Sequence, residues 1–179
     1  MLKIVLLVVA VAIVLFLIVV AMRPSEFRVE RSVLIDAPPA AAFAQVQDFH
    51  RWRAWSPFEN IDPNLQRSYE GPAQGVGAIY DWVGNKDAGE GRMLIVESRP
   101  NERIKIQLDF RKPFEAHNLA EFTFKPVDGK TEVTWVMSGR HNFLFKAFGL
   151  FMSMDKMVGT MFEQGLRDLK KVSEQSPAS

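Results

Sequence analysis

The hydrophobic pattern begins with an uncharged, apolar run over residues 4–22 that contains no glycine or proline. A helix rises ~1.5 Å per residue, so this run spans about 28 Å, close to the ~30 Å hydrocarbon core of a bilayer. Lys3 and Arg23 flank the run and can reach the two headgroup layers. The pattern predicts an uncleaved membrane anchor over residues 1–23. The alternative is a secretory signal peptide cleaved near Ala21, but its apolar run usually covers only about 7–15 residues.

The rest of the chain is patterned as a strand, short helices, several strands and a long helix. Residues 28–35 are rich in β-branched side chains. Residues 38–48 predict an Ala-rich helix that starts with two prolines, and residues 50–58 predict a short aromatic-rich helix. Period-two alternation follows and is clearest over residues 103–111, where apolar and polar side chains take turns. Turns containing Gly, Asn or Pro separate about six such strands.

From about residue 143 the apolar period returns to that of a helix, with charged residues on the opposite face. The element order indicates an α+β domain with an antiparallel sheet of about seven strands, one face of which the long helix covers. Gly159 and Gly165 interrupt this helix, either for close packing on the sheet or to leave room for a ligand. The aromatic segment over residues 143–151 fits a cavity lid, a surface resting on a bilayer or plain core.

Composition narrows the range of partners. Beyond the anchor, the chain carries 20 basic and 21 acidic residues, a formal charge of −1. A near-neutral domain offers no broad electrostatic surface for nucleic acid. There is no cysteine, which excludes disulfides, thiolate catalysis and cysteine-ligated metals. We expect one domain over residues 24–173, a disordered tail over residues 174–179, and no metal or cofactor.

Several stretches together resemble one superfamily. They are IDAPPAAAFAQVQD, RWRAWSPFE, GPAQGVGAIYDWVGN, GEGRM, KPFEAHN, TWVMSG and SMDKMVGTMFEQGL. In this order the chain resembles the START-related SRPBCC superfamily, within it the polyketide cyclase/dehydrase and lipid-transport families, and a membrane-anchored bacterial subgroup. The resemblance implies a helix-grip fold, in which a curved sheet wraps around the long C-terminal helix. It also implies a single-pass protein of the bacterial inner membrane, with the side of the domain undecided.

The resemblance further implies a cavity between sheet and helix that holds a hydrophobic or amphipathic small molecule or lipid. The chain has a large aromatic and methionine inventory, and methionine adapts to ligands of varied shape. The alternative for each of these residues is an ordinary core position. The candidate ligand-binding residues are Trp52, Trp55, Phe58, Tyr80, Trp82, Met93, Phe110, Phe122, Phe124, Trp135, Met137, Met154, Met157 and Met161.

Catalytic motifs are scarce. The three histidines are scattered, and none has a partner at the helical spacing of metal ligands. His117 is a weak candidate for a catalytic base if it meets Asp109 across a hairpin beside the cavity, although the strand pattern turns Asp109 outward. Asp81, between Tyr80 and Trp82, is the other weak candidate, because a carboxylate among aromatic side chains can have a raised pKa.

Three functional hypotheses follow. The first is a membrane-anchored protein that binds a hydrophobic small molecule or lipid, and we favour it. The second is a polyketide cyclase- or aromatase-like enzyme that uses the same cavity, because enzymes can act largely by positioning a reactive chain. The third is an interaction domain with a closed core. A polar pair converging on the cavity would favour the enzyme, and a wholly apolar cavity would favour the binding protein.

Overall fold

A computed structural model describes residues 1–140, 143–150 and 154–175. The apolar N-terminal run forms α1, and a seven-stranded sheet with three further α-helices and two 3-10 helices follows. The elements are α1 (Leu2–Met22), β1 (Glu26–Ile35), α2 (Pro39–Val46), the first 3-10 helix (Phe49–Ala54), the second 3-10 helix (Pro57–Asn60), β2 (Gln66–Glu70), β3 (Ile79–Val83), β4 (Glu90–Arg99), β5 (Arg103–Lys112), β6 (Ala116–Val127), β7 (Lys130–Arg140), α3 (Phe143–Phe148) and α4 (Met154–Gln175).

The sheet is entirely antiparallel, in the order β1-β7-β6-β5-β4-β3-β2. From β2 to β7 each strand pairs with the next one along the chain, and the first strand, β1, pairs with the last, β7. Register shifts in the β4–β5 pair, at Glu90/Gly91 and Ile95/Glu97, add local bends. The α+β helix-grip fold with a curved sheet of about seven strands is thereby confirmed.

Alternation along the strands sets the two faces of the sheet. In β5, Ile104 and Ile106 are fully buried on the inner face, while Gln107 points outward. The inner face packs against α2, the 3-10 helices and α4, whose Leu166 and Leu169 are also buried. Burying this apolar surface is the main stabilising contribution to the domain.

Two segments differ in detail from the sequence-based expectation. The predicted short helix over residues 50–58 is two 3-10 helices separated at Trp55 and Ser56, because Pro57 removes a backbone donor at that point. The final helix continues to Gln175, two residues into the predicted tail; residues 176–179 lie outside the described part of the chain.

Within the described residues, α1 is the one helix that is long and apolar enough to cross a membrane. Its side chains are almost all exposed, which distinguishes it from the core helix of a soluble protein. The exception is Val20, which is fully buried near the end that packs against α3.

Candidate functional site

A cavity of about 140 Å³ lies between the inner face of the sheet, the 3-10 helices and α4. Strands β3 to β7 each contribute at least one inward-pointing side chain to its wall. Val158 and Phe162 of α4 close the opposite side. The walls are overwhelmingly apolar, so the space is suited to a hydrophobic group.

Trp135 forms an aromatic stack across the wall of the cavity. Its ring centroid lies 3.9 Å from that of Phe162, with an angle of 8° between the planes, and 4.8 Å from that of Phe122. Gly165 allows α4 to approach this stack, because a Cβ there would lie 2.9 Å from both Trp135 Cζ3 and Pro57 Cδ. Close packing therefore accounts for Gly165. At Gly159 the neighbour is instead the guanidinium of Arg31, which bonds to Asp155 and Glu163.

Among the residues that the structure describes, one charged side chain lines the cavity. The Glu59 side chain is only 5% exposed; its Oε1 accepts a hydrogen bond from the Tyr80 hydroxyl at 2.6 Å, and its Oε2 accepts one from Arg67 Nε at 2.6 Å. The other two guanidinium nitrogens of Arg67 donate to the carbonyl oxygens of Leu65 and Glu59. Burial and the hydrogen bond to Glu59 raise the pKa of Tyr80, so this phenol stays protonated at neutral pH.

Two further polar atoms on the lining side chains lack a partner. Among the residues that the structure describes, neither Ser56 Oγ nor Trp135 Nε1 makes a hydrogen bond, and both are buried. The other three tryptophans contrast with Trp135, because each donates its indole N–H to a backbone carbonyl. An unsatisfied buried donor typically costs about 1–3 kcal/mol, so two of them at one cavity require an explanation.

The structure brings eight of the fourteen candidate ligand-binding residues to the cavity wall. They are Trp52, Phe58, Tyr80, Trp82, Met93, Phe110, Trp135 and Met137. Trp55, Phe122 and Phe124 are buried in the surrounding core instead. On α4, Met161 is half-buried beside the cavity wall without lining it, and Met157 is 52% exposed. The side chain of Met154 lies outside the described residues.

Nine lining residues were not among the candidates. They are Ser56, Glu59, Ile61, Leu65, Ala88, Leu108, Ala120, Val158 and Phe162. Alternation in β5 and β6 could have identified Leu108 and Ala120, and the helical period could have identified Val158 and Phe162. Ser56 and Glu59 lie in a short segment without periodicity, so no comparable signal marks them.

The weak catalytic candidates lie on the outer face of the sheet, away from the cavity. His117 Nδ1 and Asp109 Oδ1 do meet across the β5–β6 pair, at 2.7 Å, but the His117 side chain is 79% exposed. The hydrogen bond to Asp109 raises the pKa of His117. Asp81 is bound to Arg92 and Arg111 at 2.8 and 3.1 Å, as expected of a structural ion pair. The described residues contain no group of three or more histidines and carboxylates that could hold a metal.

Comparisons with known proteins agree with this geometry. The chain is similar in fold to protein CV1439 from Chromobacterium violaceum (TM-score 0.60, 16% identity, 86% of this chain and 100% of the other). It is also similar in fold to the Aha1 dimer from Colwellia psychrerythraea, with a TM-score of 0.60 and 17% identity over 85% of this chain and 99% of the other. A third similar structure is DynU16 from the dynemicin biosynthetic locus, with a TM-score of 0.57 and 16% identity over 83% of this chain and 47% of the other. A search of curated proteins finds no match.

At these identities the structural neighbours establish only the fold. The family comes from the sequence itself, because residues 26–174 match the family described as polyketide cyclase/dehydrase and lipid transport. This match covers the sheet, the cavity-lining segments and almost all of α4. The chain therefore belongs to the polyketide cyclase/dehydrase and lipid-transport family of the SRPBCC superfamily.

Proposed function

We propose that this protein is a membrane-anchored binding protein for a hydrophobic or amphipathic small molecule or lipid. The observation that carries the proposal is the apolar cavity of about 140 Å³ between the sheet and α4. An engineered apolar cavity of ~150 Å³ binds benzene, so this space is large enough for a ring-sized group. A family that includes lipid-transport proteins supports the same reading.

The polar groups at the cavity favour recognition over catalysis. A general base must be free to take up a proton from its substrate. Each oxygen of the Glu59 carboxylate already accepts a hydrogen bond, one from Tyr80 and one from Arg67, within a buried ion pair.

A cyclase- or aromatase-like enzyme is the second candidate, and the Glu59–Tyr80 pair is the observation that favours it. These two groups are hydrogen-bonded at 2.6 Å on the wall of a cavity that could fold a reactive chain. Replacing Tyr80 with Phe would abolish turnover in an enzyme of this kind while leaving affinity within a few fold. A binding protein has no turnover to lose.

The membrane part of the proposal rests on α1 and its contacts. Helix α3 packs against α1, and Phe145 of α3 lies edge-on to Phe114 in the β5–β6 loop, with 5.6 Å between ring centroids. Phe114 and Phe143 each expose about half of their surface, and Lys146 is a basic residue of the last turn of α3. Aromatic and basic side chains of this kind suit the membrane interface. We infer that α3 and the β5–β6 loop rest on the bilayer that α1 spans.

Analysis of co-purifying molecules tests the binding proposal. The full chain would be purified from host membranes, and organic extracts would be compared by mass spectrometry for wild type, Ala120→Leu and Thr123→Leu. Ala120 lines the cavity, so an isobutyl group there should fill it and reduce the bound molecule several-fold. Thr123 lies on the same strand but on the outer face, so Thr123→Leu controls for nonspecific membrane lipid. Equal extracts from all three proteins would refute cavity binding.

A further inference from the structure

The charge on the cavity wall is neutralised internally. Glu59 is the one carboxylate among the described lining residues, and Arg67 binds it at 2.6 Å. All three guanidinium nitrogens of Arg67 are already committed to Glu59 or to the Leu65 carbonyl. The pair therefore presents no free positive charge to a ligand.

This pairing disfavours ligands of either charge. No lysine, arginine or histidine lines the described cavity, so a carboxylate head would be buried beside Glu59 without a cation. An ammonium head would meet a carboxylate that Arg67 has already compensated, leaving one positive charge in excess. Burying an uncompensated charge in apolar surroundings is strongly unfavourable.

The two unpaired polar atoms can form hydrogen bonds with an uncharged ligand group. Trp135 Nε1–H can only donate, whereas Ser56 Oγ can donate or accept. The Glu59 carboxylate has about four acceptor positions, of which Tyr80 and Arg67 occupy two. Both unpaired atoms are covered by neighbouring side chains. Access to them requires a covering side chain to move, and Phe58, which lines the cavity, is 36% exposed and packs edge-on against Trp135.

We propose that the cavity selects an uncharged apolar ligand whose head is a hydroxyl group, and that it rejects a carboxylate or an ammonium on the same skeleton. A hydroxyl matches the chemistry of this wall, because it can donate to a carboxylate such as that of Glu59 and accept from an indole N–H such as that of Trp135. Ser56 can hold the same oxygen in either role. This inference rests on the proposed function, since it assigns the chemical class of the molecule that the cavity binds.

Indole N–H spectroscopy of the full chain in lipid nanodiscs tests the proposal directly. The four tryptophans give four indole resonances after ¹⁵N labelling, and the Trp135→Phe variant assigns the one of interest. The ligands are benzyl alcohol, benzoate and benzylammonium, which share one skeleton, with ethylbenzene as the uncharged isostere without a donor or acceptor. Empty nanodiscs provide the correction for partitioning into lipid.

Benzyl alcohol should move the Trp135 resonance downfield, as expected when a ligand oxygen accepts its hydrogen bond. Benzoate and benzylammonium should bind at least about tenfold more weakly. If ethylbenzene binds but all three polar ligands bind equally well, the selectivity is refuted while cavity binding stands. If benzyl alcohol binds without moving the Trp135 resonance, the assigned subsite is refuted. If no ligand moves any resonance, cavity binding and the inference both fail.

Variants separate the head-group contacts from general packing. Ser56→Ala should weaken benzyl alcohol several-fold and leave ethylbenzene unchanged, since one hydrogen bond is lost. Ser32→Ala is the matched control, because the Ser32 hydroxyl bonds to Thr134 on the outer face. Glu59→Gln leaves Arg67 uncompensated and should shift the preference toward benzoate by about tenfold. An equal loss for benzyl alcohol and ethylbenzene in Ser56→Ala would overturn the proposal, whether or not Glu59→Gln folds.

Discussion

Replacing each of the two glycines of α4, Gly159 and Gly165, with alanine is expected to change the stability of the protein in opposite directions. Adding a methyl group at either position gains helix propensity, since alanine is favoured over glycine by ~0.8–1.0 kcal/mol in a helix interior. At Gly159 the three atoms nearest to the new Cβ all belong to the guanidinium end of the Arg31 side chain. At Gly165 it meets the Pro57 ring and the Trp135 indole, both at 2.9 Å. Glycine-to-alanine substitution at these two positions therefore compares a flexible neighbour, the Arg31 side chain, with rigid neighbours, the Pro57 and Trp135 rings.

The magnitudes follow from how far each neighbour can move. Arg31 is held by partly exposed ion pairs to Asp155 and Glu163, which contribute little, so its guanidinium can shift outward. Gly159→Ala should thus leave stability unchanged or raise it by up to ~1 kcal/mol. Trp135 is less free to move, because both Phe162 and Phe122 stack against its ring.

For Gly165→Ala, overpacking costs about 1–3 kcal/mol and the propensity gain returns about 1 kcal/mol. We expect a net loss of up to about 2 kcal/mol. Thermal unfolding followed by tryptophan fluorescence resolves this, because ~1 kcal/mol shifts Tm by about 2–4 °C in a domain of this size. A Gly165→Ala protein at least as stable as Gly159→Ala would refute the packing argument. Adding Trp135→Phe to Gly165→Ala should recover part of the loss if the indole is the obstacle.

Three further outcomes are expected. If residues 1–23 are an uncleaved anchor, the full chain stays in the membrane pellet through a carbonate wash, and a mature chain lacking them would contradict this. NMR titration should place the pKa of His117 above 6.5, and Asp109→Asn should return it toward that value. Because the folded-state pKa is raised, this pair stabilises the protein below pH 6.5 and loses its effect as pH rises through that pKa. Arg67→Met should cost about 3 kcal/mol, and Glu59→Gln in the same chain should offset part of it; additive losses would argue against the buried pair.

The sheet could be predicted because one physical constraint repeats along every strand. A sheet covered on one face alternates between buried and exposed side chains, as Ile104, Ile106 and Gln107 do in β5. The segment over residues 49–60 obeys no such period. Its two 3-10 helices are fixed by tertiary contacts, such as the indole hydrogen bonds of Trp52 and Trp55 to backbone carbonyls near α2. Local pattern therefore predicted one short helix where the structure has two.

The cavity was harder to predict, because alternation shows which side chains lie on the inner face of the sheet but not which of them border an unfilled space. Phe122 and Trp135 are paired neighbours on the inner face, yet only Trp135 lines the cavity. Trp52 of the first 3-10 helix and Trp55 just after it make T-shaped contacts with Phe122. Small side chains such as that of Ala120 leave part of the space between sheet and helix unfilled, so they line the cavity although they are neither aromatic nor methionine.

The buried ion pair carries the main functional consequence that sequence reasoning missed. A lone glutamate in a segment without periodicity is usually solvated, so Glu59 gave no signal. Its burial depends on the β2–β3 pairing, which brings Arg67 and Tyr80 to the same carboxylate. Because Arg67 compensates its charge, the Glu59 carboxylate can accept a hydrogen bond from a ligand hydroxyl as a recognition group. The polar pair at the cavity thus favours selective binding, although a polar pair there was expected to favour an enzyme.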